Sequence, residues 1–265
     1  MLSIEKLNFS YGKEPVLKNL SADIRNGELL GIIGPNGSGK TTLLKLLTRL
    51  LKPSSGRLSL DGTNAYEIPA GEYAKKVAYL PSSIDVSFSY TAEEFVSMGR
   101  FPYTGRYGSL AVSDRKVIGN TMEKFEIRRY AKRKIWELSD GEKQRVFLAQ
   151  TVAQEPSLLI LDEPTSHLDL GHSFRILDII KELNTGGITV IAVLHDLNIA
   201  SEYCSRLILL KNGEIFSQGT PEEVLTYQNV EEVYQTRALV YKNPFSKKPY
   251  VFGIPASLMS SSLQR

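Results

Sequence analysis

The stretch LLGIIGPNGSGKTTLLKLL, residues 29–47, decides the fold. Its first five residues are apolar, as expected for a buried β-strand, and its final part repeats leucine at the spacing of a helix. Between them, residues 34–41 match G-x-x-x-x-G-K-[ST], the motif of phosphate-binding loops. A strand, a glycine-rich loop and a helix in this order are the context that the motif requires. The stretch therefore predicts a nucleotide-binding site.

Each part of this phosphate loop has a chemical role. Glycine lacks a Cβ atom, so the backbone N–H groups can turn inward around a chain of phosphates. Lys40 adds a positive charge for the β- and γ-phosphates, Thr41 offers a hydroxyl to Mg²⁺, and the start of the helix favours an anion. A glycine-rich turn without a ligand is the alternative, and the flanking strand and helix argue against it. We expect the nucleotide to contact Gly34, Pro35, Asn36, Gly37, Ser38, Gly39, Lys40, Thr41 and Thr42.

The composition is that of an ordinary globular protein. The chain has 265 residues, of which 42% are hydrophobic and 23% charged, enough to bury a large core. Its net charge of +3, from 32 basic and 29 acidic residues, is too small to indicate nucleic-acid binding. Cys204 is the single cysteine, so an internal disulfide is excluded. No signal-peptide pattern or membrane-spanning apolar run is visible, and we expect a soluble, cytoplasmic protein.

Two further apolar strands end in polar residues. Leu158–Leu161 is followed by Asp162 and Glu163, and Ile188–Leu194 is followed by His195. Open α/β sheets bind ligands at the carboxyl ends of their strands, so these side chains are candidates for the site. Carboxylates also occur as ordinary polar residues at strand ends, and a lone histidine is more often structural. The phosphate loop in the same chain favours the functional interpretation.

Two other positions carry weaker signals. Tyr11 ends a first strand, where its ring could stack on a planar base, although an exposed structural tyrosine is the simpler interpretation of the position alone. The sequence LSDGE at 138–142 opens a helix. Ser139 and Glu142 have the spacing of a capping box there, so a well-capped helix explains them locally.

The middle of the chain is predominantly helical in pattern, from residue 82 to about residue 137. Ser113-Asp114, for example, is placed to open a helix over Arg115–Phe125. An aromatic and basic stretch, GRFPYTGRYG, lies at 99–108, and a basic run, RRYAKRK, lies at 128–134. Charge runs are often no more than solvated surface. We interpret the whole segment as a helical subdomain inserted into an α/β core.

Taken together, these motifs resemble the ATP-binding subunit of ABC transporters over about residues 1–225. The GRFPYTGRYG stretch and the tail around residues 232–255 are similar to the branch that imports iron chelates, haem and cobalamin. The matching motifs, in the order of the family, are Tyr11, GPNGSGKTT (34–42), LSDGE (138–142), LLILDEP (158–164), SHLD (166–169) and His195.

The resemblance implies an α/β fold. It comprises a P-loop ATPase core with a mostly parallel sheet, an antiparallel β layer and an inserted helical subdomain. The implied domains are the core at 1–81 and 155–225, the subdomain with the signature helix at 82–154, and a C-terminal extension at 226–265.

The resemblance also implies roles for single residues, with ATP and Mg²⁺ as cofactors. Asp162 would hold Mg²⁺ together with Thr41, Glu163 would act as the general base that orients water, and His195 would contact the γ-phosphate. The ATP would be shared in a head-to-tail homodimer that closes on ATP binding. Asp169 would lie at its seam, and Tyr11 would serve the base. The signature residues that would face the partner's ATP are Ser139, Asp140, Gly141 and Glu142.

Two residues depart from the family pattern. Ser82 stands where the family usually has a glutamine that reaches Mg²⁺. The shorter side chain requires a bridging water, or else closure of the site depends less on this loop; we keep Ser82 as a candidate metal ligand. Asp140 stands where the signature usually has glycine, and its carboxylate would repel a γ-phosphate unless it points away.

The implied function is that of the ATP-hydrolysing, energy-coupling subunit of an ABC importer for an iron-siderophore, haem or cobalamin. Such a subunit is peripheral on the inner face of the cell membrane. Its partners are separate transmembrane permease subunits, which would dock in a groove beside the inserted segment, and indirectly a substrate-binding protein; nucleic acid is not expected.

Other functions stay open. An ABC ATPase for another solute, or a degenerate nucleotide-binding regulator with weak ATPase activity, would share the same motifs. ABC proteins of translation or DNA repair would show tandem cassettes or a long coiled-coil insertion, and neither is visible. A P-loop kinase or GTPase would leave LSDGE unexplained.

Overall fold

The computed structural model describes residues 1–86, 88–104, 109–166 and 168–255. By internal contacts the chain divides into two compact units, one of residues 1–62 and 191–265 and one of residues 63–190. This division follows contacts alone, and the domain bounds implied by the resemblance stay a prediction. Within the described ranges, no helix is both long and apolar enough to cross a membrane.

Strands and helices alternate along much of the chain. The strands are β1 (Leu2–Tyr11), β2 (Glu14–Ile24), β3 (Leu29–Ile33), β4 (Ser55–Leu60), β5 (Thr63–Asn64), β6 (Val77–Leu80), β7 (Leu158–Asp162), β8 (Thr189–Val193), β9 (Arg206–Lys211), β10 (Glu214–Gly219), β11 (Ala238–Lys242) and β12 (Pro249–Gly253). The helices are α1 (Lys40–Leu47), α2 (Ala70–Lys76), α3 (Ala92–Ser97), α4 (Val112–Lys124), α5 (Asp140–Val152), α6 (Leu170–Thr185), α7 (Leu197–Tyr203), α8 (Pro221–Val224) and α9 (Tyr227–Tyr234).

An antiparallel sheet forms part of the first unit. In it, β1 pairs with both β2 and β4. Buried side chains alternate with more exposed ones along these strands, so one face of the sheet packs against the core. Leu7, Phe9 and Leu17 lie on that buried face. This sheet is the predicted antiparallel layer.

The strand before the phosphate loop lies in another sheet. All five residues of β3 are buried. In the first unit, β3 pairs in parallel with β9 and lies beside β8. Strands of a parallel sheet are covered on both faces, which explains why β3 is apolar throughout. The chain then leaves β9 through Asn212-Gly213, with φ angles of 51° and 81°, into the antiparallel strand β10.

The second unit contains another pair of parallel strands and the inserted helices. There β6 pairs in parallel with β7. Between β6 and β7 the chain forms α3, α4 and α5. Phe95 of α3 and Phe147 of α5 pack with ring centroids 5.1 Å apart in the core of this segment. The predicted fold class is therefore confirmed.

One predicted helix boundary is wrong. α4 begins at Val112 with Ala111 as its N-cap, so Ser113 and Asp114 lie inside the helix rather than before it. The Asp114 carboxylate instead accepts hydrogen bonds from the Ala111 N–H at 2.8 Å and from Arg100 Nε at 2.9 Å. Asp114 is thus a residue of the first turn, and its carboxylate bonds both the Ala111 N–H and the buried Arg100, which is 14 residues away in the chain.

Arg100 also explains the described part of the aromatic and basic stretch. The residue is 4% exposed, and its guanidinium donates to the Ala153 carbonyl at 2.8 Å and to Glu155 at 2.7 Å, besides Asp114. This stretch is therefore anchored in the fold through its arginine. Residues 105–108 of the same stretch lie outside the described residues.

The C-terminal segment belongs by contacts to the first unit. Its strands β11 and β12 form an antiparallel hairpin. Asn198 of α7 accepts a hydrogen bond from the Val251 N–H at 2.7 Å, and Ser201 donates to the Pro249 carbonyl at 2.7 Å. These bonds fix the hairpin to the helix that follows His195.

Candidate nucleotide-binding site

The phosphate loop has the backbone conformation that its glycines permit. Gly34, Gly37 and Gly39 all have positive φ angles, of 147°, 78° and 97°. A Cβ atom at Gly34 would lie 2.9 Å from Ser38 Oγ and even closer to the Leu210 carbonyl. Glycine at position 34 is therefore required by both conformation and space.

Two polar groups in the loop fit an anion. Lys40 is 6% exposed, and its Nζ donates to the carbonyls of Gly34 at 2.8 Å and Pro35 at 2.9 Å. Ser38 Oγ is buried and has no hydrogen-bond partner among the described residues. Buried polar groups normally have partners, so an ammonium group and an unpartnered hydroxyl at the start of α1 favour an oxyanion such as a phosphate.

Tyr234 of α9 contacts the loop from the C-terminal segment, and nothing in the local sequence indicated it. The backbone of Gly34 forms a hydrogen bond with the Tyr234 side chain. Burial raises the pKa of Tyr234 to about 12, so its hydroxyl stays protonated at neutral pH. Lys211 Nζ and Glu232 Oε1, 3.0 Å apart, hold α9 near β9. The loop is thus supported from outside the predicted core.

Tyr11 and His195, both predicted at the site, are exposed residues of the first unit. Tyr11 is 49% exposed at the end of β1, and its ring meets the ring of Phe9 edge-on at 4.8 Å. His195 lies two residues after the end of β8. The next residue, Asp196, caps α7 by accepting the N–H groups of Asn198 and Ile199. The strand-end placement of both residues is as expected, and their contacts with a nucleotide stay a prediction.

In the second unit, Asp162 is fully buried at the end of β7. The hydroxyl of Tyr79, on the neighbouring strand β6, donates to Asp162 Oδ2 at 3.5 Å. Burial, and then the charge of Asp162, raise the pKa of Tyr79, so the phenol keeps its proton and stays a donor. Tyr79 therefore orients the carboxylate. The role of Tyr79 in orienting Asp162 could have been predicted only from knowledge that β6 pairs with β7.

Glu163 adopts an unusual backbone conformation. Its φ angle is 53°, in the left-handed region that a residue with a side chain rarely occupies. Ser166 holds the turn by donating its N–H, at 3.1 Å, and its Oγ, at 3.0 Å, to the Glu163 carbonyl. Gln144 of α5 donates to the Pro164 carbonyl at 2.8 Å. Strain that the surroundings hold in place is frequent at functional positions.

The signature sequence starts α5 as its capping pattern predicts. The Ser139 N–H donates to Glu142 Oε2 at 3.0 Å, and the Glu142 N–H donates to Ser139 Oγ at 3.4 Å. A hydrogen bond with Tyr130, and then that from the Ser139 backbone, hold the pKa of Glu142 below its usual value. The Asp140 carboxylate lies 3.2 Å from Lys143 Nζ, so it is turned toward its own helix.

Ser82 and Asp140, the two departures from the family pattern, line one groove of the second unit. The groove has a volume of about 380 Å³, and its apolar walls include Ile84, Trp136 and Phe147. Ser82 is exposed there. The structure thus brings both unusual residues to the same surface.

Asp169 caps α6. Its Oδ1 accepts the His172 N–H at 2.8 Å, and its Oδ2 lies 2.9 Å from His172 Nδ1. The backbone N–H of His172, followed by its side chain, holds the pKa of Asp169 below the usual value. Asp169 is therefore ionised at neutral pH, and His172 is a further residue that sequence reasoning did not single out.

The oxygen donors of Thr41 and Asp162 suit Mg²⁺ by their chemistry, since this ion binds one or two protein oxygens and otherwise keeps water and phosphate oxygens. In the described ranges, His, Cys, Asp and Glu nowhere form a group of three that could hold a metal ion.

A family model described as ABC transporter matches residues 17–166, more than half of the chain. The uncharacterized ABC transporter ATP-binding protein YvrA of Bacillus subtilis is 40% identical over 252 residues, covering 94% of this chain and 57% of that protein. The ferric enterobactin transport ATP-binding protein FepC of Escherichia coli is 37% identical, covering 93% of this chain and 92% of that protein. The hemin import ATP-binding protein HmuV of Shewanella denitrificans is 38% identical, covering 95% and 100%.

The chain is also similar to solved structures of ABC transporters. An inward-facing metal-chelate type ABC transporter contains a chain with a TM-score of 0.85 and 25% identity, covering 97% of this chain and 98% of that one. The dimeric bacterial ABC transporter cassette MJ0796 has a TM-score of 0.73 and 30% identity, covering 83% of this chain and 99% of that one.

Proposed function

Because the chain belongs to the ABC transporter family, we propose that it is the ATP-hydrolysing, energy-coupling subunit of an importer for an iron-siderophore, haem or cobalamin. The observation that carries the proposal is the phosphate loop, with its three glycines of positive φ, its buried Lys40 and its unpartnered Ser38 hydroxyl. The similarity to FepC and HmuV over most of both chains supports the solute class.

ATP binding exchanges contacts within the loop. Lys40 Nζ, which donates to the Gly34 and Pro35 carbonyls, would turn to the β- and γ-phosphates, while the loop amides and Ser38 supply further donors. Thr41 and Asp162 would hold Mg²⁺, which neutralises phosphate charge when bound. Tyr79 keeps the Asp162 carboxylate oriented for this role.

The chemical step transfers the γ-phosphoryl group to water. Glu163 would accept the proton of the attacking water. The hydrogen bonds from Ser166 to the Glu163 carbonyl fix the backbone position from which the Glu163 side chain extends. His195 would contact the γ-phosphate. In such a reaction positioning and charge stabilisation supply most of the catalysis, so rigid support of these groups matters more than covalent chemistry.

We assign the signature residues to the ATP of a second copy. The dimeric cassette to which the chain is similar supports a homodimer. The start of α5 offers backbone N–H groups to an anion, and the contact of Asp140 with Lys143 turns a negative charge away from that end. Dimer closure on ATP and opening after hydrolysis would then supply the mechanical step.

The partners are separate permease subunits, with a substrate-binding protein acting indirectly. The groove between Ser82 and Trp136 offers apolar walls for a permease segment and belongs to the second unit alone. Attachment there would place the protein on the inner face of the cell membrane.

An ATPase assay tests the proposal. The purified chain should release phosphate from ATP in the presence of Mg²⁺, and it should co-purify with a permease encoded beside it. A folded chain that binds ATP without turnover would instead support a nucleotide-binding regulator. ATPase activity with a permease for an unrelated solute would overturn the solute class only.

A further inference from the structure

His172 lies on α6 and contacts two different motifs of the second unit. Its imidazole Nδ1 is 2.9 Å from Asp169 Oδ2. The opposite edge of the ring lies against Gly141, near the start of α5. A Cβ atom added at Gly141 would be 2.9 Å from His172 Cγ, 3.0 Å from Nε2 and closer still to Cδ2. One ring therefore bridges the Asp169 turn and the signature helix.

We propose that His172 is a positioning residue that holds Asp169 and the start of α5 in one fixed arrangement. The inference rests on the proposed function, in which the signature residues face the second copy's ATP and Asp169 lies at the dimer seam. If each moved separately, a closing dimer would have to order two elements instead of one. A ring that joins them beforehand lowers that cost.

The two contacts need an imidazole rather than any polar side chain. An asparagine could donate to Asp169, but its shorter side chain lacks the ring atoms Cδ2 and Nε2 that lie against Gly141. A phenylalanine could cover Gly141, but it has no donor for Asp169. The His172 side chain is 46% exposed, so its role depends on these two contacts rather than on burial in the core.

The same contact gives a local reason for glycine at position 141. Gly141 is buried, and the His172 ring occupies the space that a Cβ atom would need. A side chain there would displace the ring, and the ring would carry Asp169 with it. The signature glycine and Asp169 are thus mechanically coupled.

An experiment can distinguish the positioning role from a simpler one, in which His172 only supports the cap of α6. If the residue only supported the cap of α6, its backbone N–H would already suffice, because that bond to Asp169 does not depend on the side chain. Replacing the imidazole with any of the three test side chains would then leave activity unchanged. The positioning role predicts that activity falls in all of them.

The first test compares His172→Asn, His172→Phe and His172→Ala with Lys181→Ala, an exposed position on the same helix. We expect kcat for ATP hydrolysis to fall on the order of tenfold in all three His172 variants, because a small misplacement of reacting groups is costly. ATP binding by the single chain and the melting temperature should stay close to those of Lys181→Ala. ATP-driven dimerisation, measured by gel filtration in a Glu163→Gln background, should weaken.

A second test uses the contact with Gly141 directly. Gly141→Ala should lower the melting temperature and kcat, and adding His172→Ala should partly restore the melting temperature because the clash is removed. Losses that simply add in the double variant would overturn the contact.

The outcomes separate this inference from the proposed function. Unchanged kcat in His172→Asn or His172→Phe would overturn the positioning role while the unmodified chain still hydrolyses ATP. An unmodified chain without ATPase activity would overturn both, since His172 would then have no reaction to serve.

Discussion

At the residue scale, Glu163 combines a left-handed backbone with a position directly after the buried Asp162. Ser166 holds that backbone in place, so the side chain starts from a fixed point. The catalytic assignment of Glu163 depends on this fixed backbone geometry and on the negative charge of its carboxylate. An isosteric substitution removes the charge while it keeps the geometry, so the contribution of the charge can be tested by itself.

Glu163→Gln removes the charge but keeps the shape. We expect kcat to fall by about 10²- to 10⁴-fold, the usual contribution of a general base, while ATP binding is retained. The ATP-bound dimer should accumulate and be visible by gel filtration. Glu123→Gln, the same change at an exposed position of α4, is the matched control. Near-normal turnover in Glu163→Gln would remove Glu163 from the mechanism.

Lys40 tests the phosphate loop. Lys40→Ala removes the cation, so ATP affinity or turnover should fall at least tenfold as measured by nucleotide titration and phosphate release. The variant should still fold, because the Gly34 and Pro35 carbonyls lose a partner at a cost of only about 1–3 kcal/mol. A folded Lys40→Ala protein with normal ATP hydrolysis would contradict the assignment of this loop.

At the scale of elements, the buried pair of Arg100 and Asp114 fixes α4 to the end of α5. Their side chains are 5% and 6% exposed, and Nε lies 2.9 Å from Oδ1. Without Asp114, the buried Arg100 would keep only Glu155, whose side chain is 55% exposed, as an ionic partner. The helical segment should therefore depend on this single contact more than on its many surface charges.

Asp114→Asn should lower the free energy of unfolding by about 3 kcal/mol at pH 7, measured by urea denaturation. The Ala111 N–H and then Arg100 hold the pKa of Asp114 below its usual value. A depressed pKa stabilises the fold above the unfolded-state pKa of about 3.9, and this contribution is lost as the pH falls through the folded-state pKa. The difference between the variant and the unmodified chain should therefore shrink in acid.

Asp85→Asn, at an exposed position of the same unit, is the control and should change little. A loss of stability in Asp114→Asn that stays the same from neutral to acid pH would contradict an ionic origin.

The elements themselves could largely be predicted from the sequence. Apolar runs and helical periodicity located β3, α1 and β7 closely, because local hydrophobic pattern decides those elements. The start of α4 could not be predicted this way. Ser113 and Asp114 both favour caps locally, whereas in the structure Asp114 lies in the first turn and its carboxylate also bonds Arg100, 14 residues away.

At the scale of the whole molecule, the head-to-tail dimer makes a prediction that needs no structure of the complex. Each site would combine Glu163 of one copy with Ser139 of the other. A mixture of Glu163→Gln chains with Ser139→Arg chains would place both lesions in one site of a mixed dimer and leave the other site intact. ATPase activity above that of either variant alone is therefore expected.

The matched control mixes Glu163→Gln chains with chains that carry both changes, since every site of such a dimer contains a lesion. Mixed dimers should be verified by differential tagging. Mixed dimers that recover no activity would argue against shared sites, or against their independent turnover.

The sequence by itself determined the phosphate loop, the capped signature helix, the carboxylates after β7 and the family, because each depends on contiguous residues of fixed type. Only the tertiary structure decided the supports of these motifs: Tyr79 on Asp162, Tyr234 on the Gly34 backbone, Gln144 on Pro164 and His172 on Gly141. Each support joins residues that the chain separates by 20 to 200 positions. Which of these distant residues come into contact is decided by packing and strand order, which no local sequence pattern encodes.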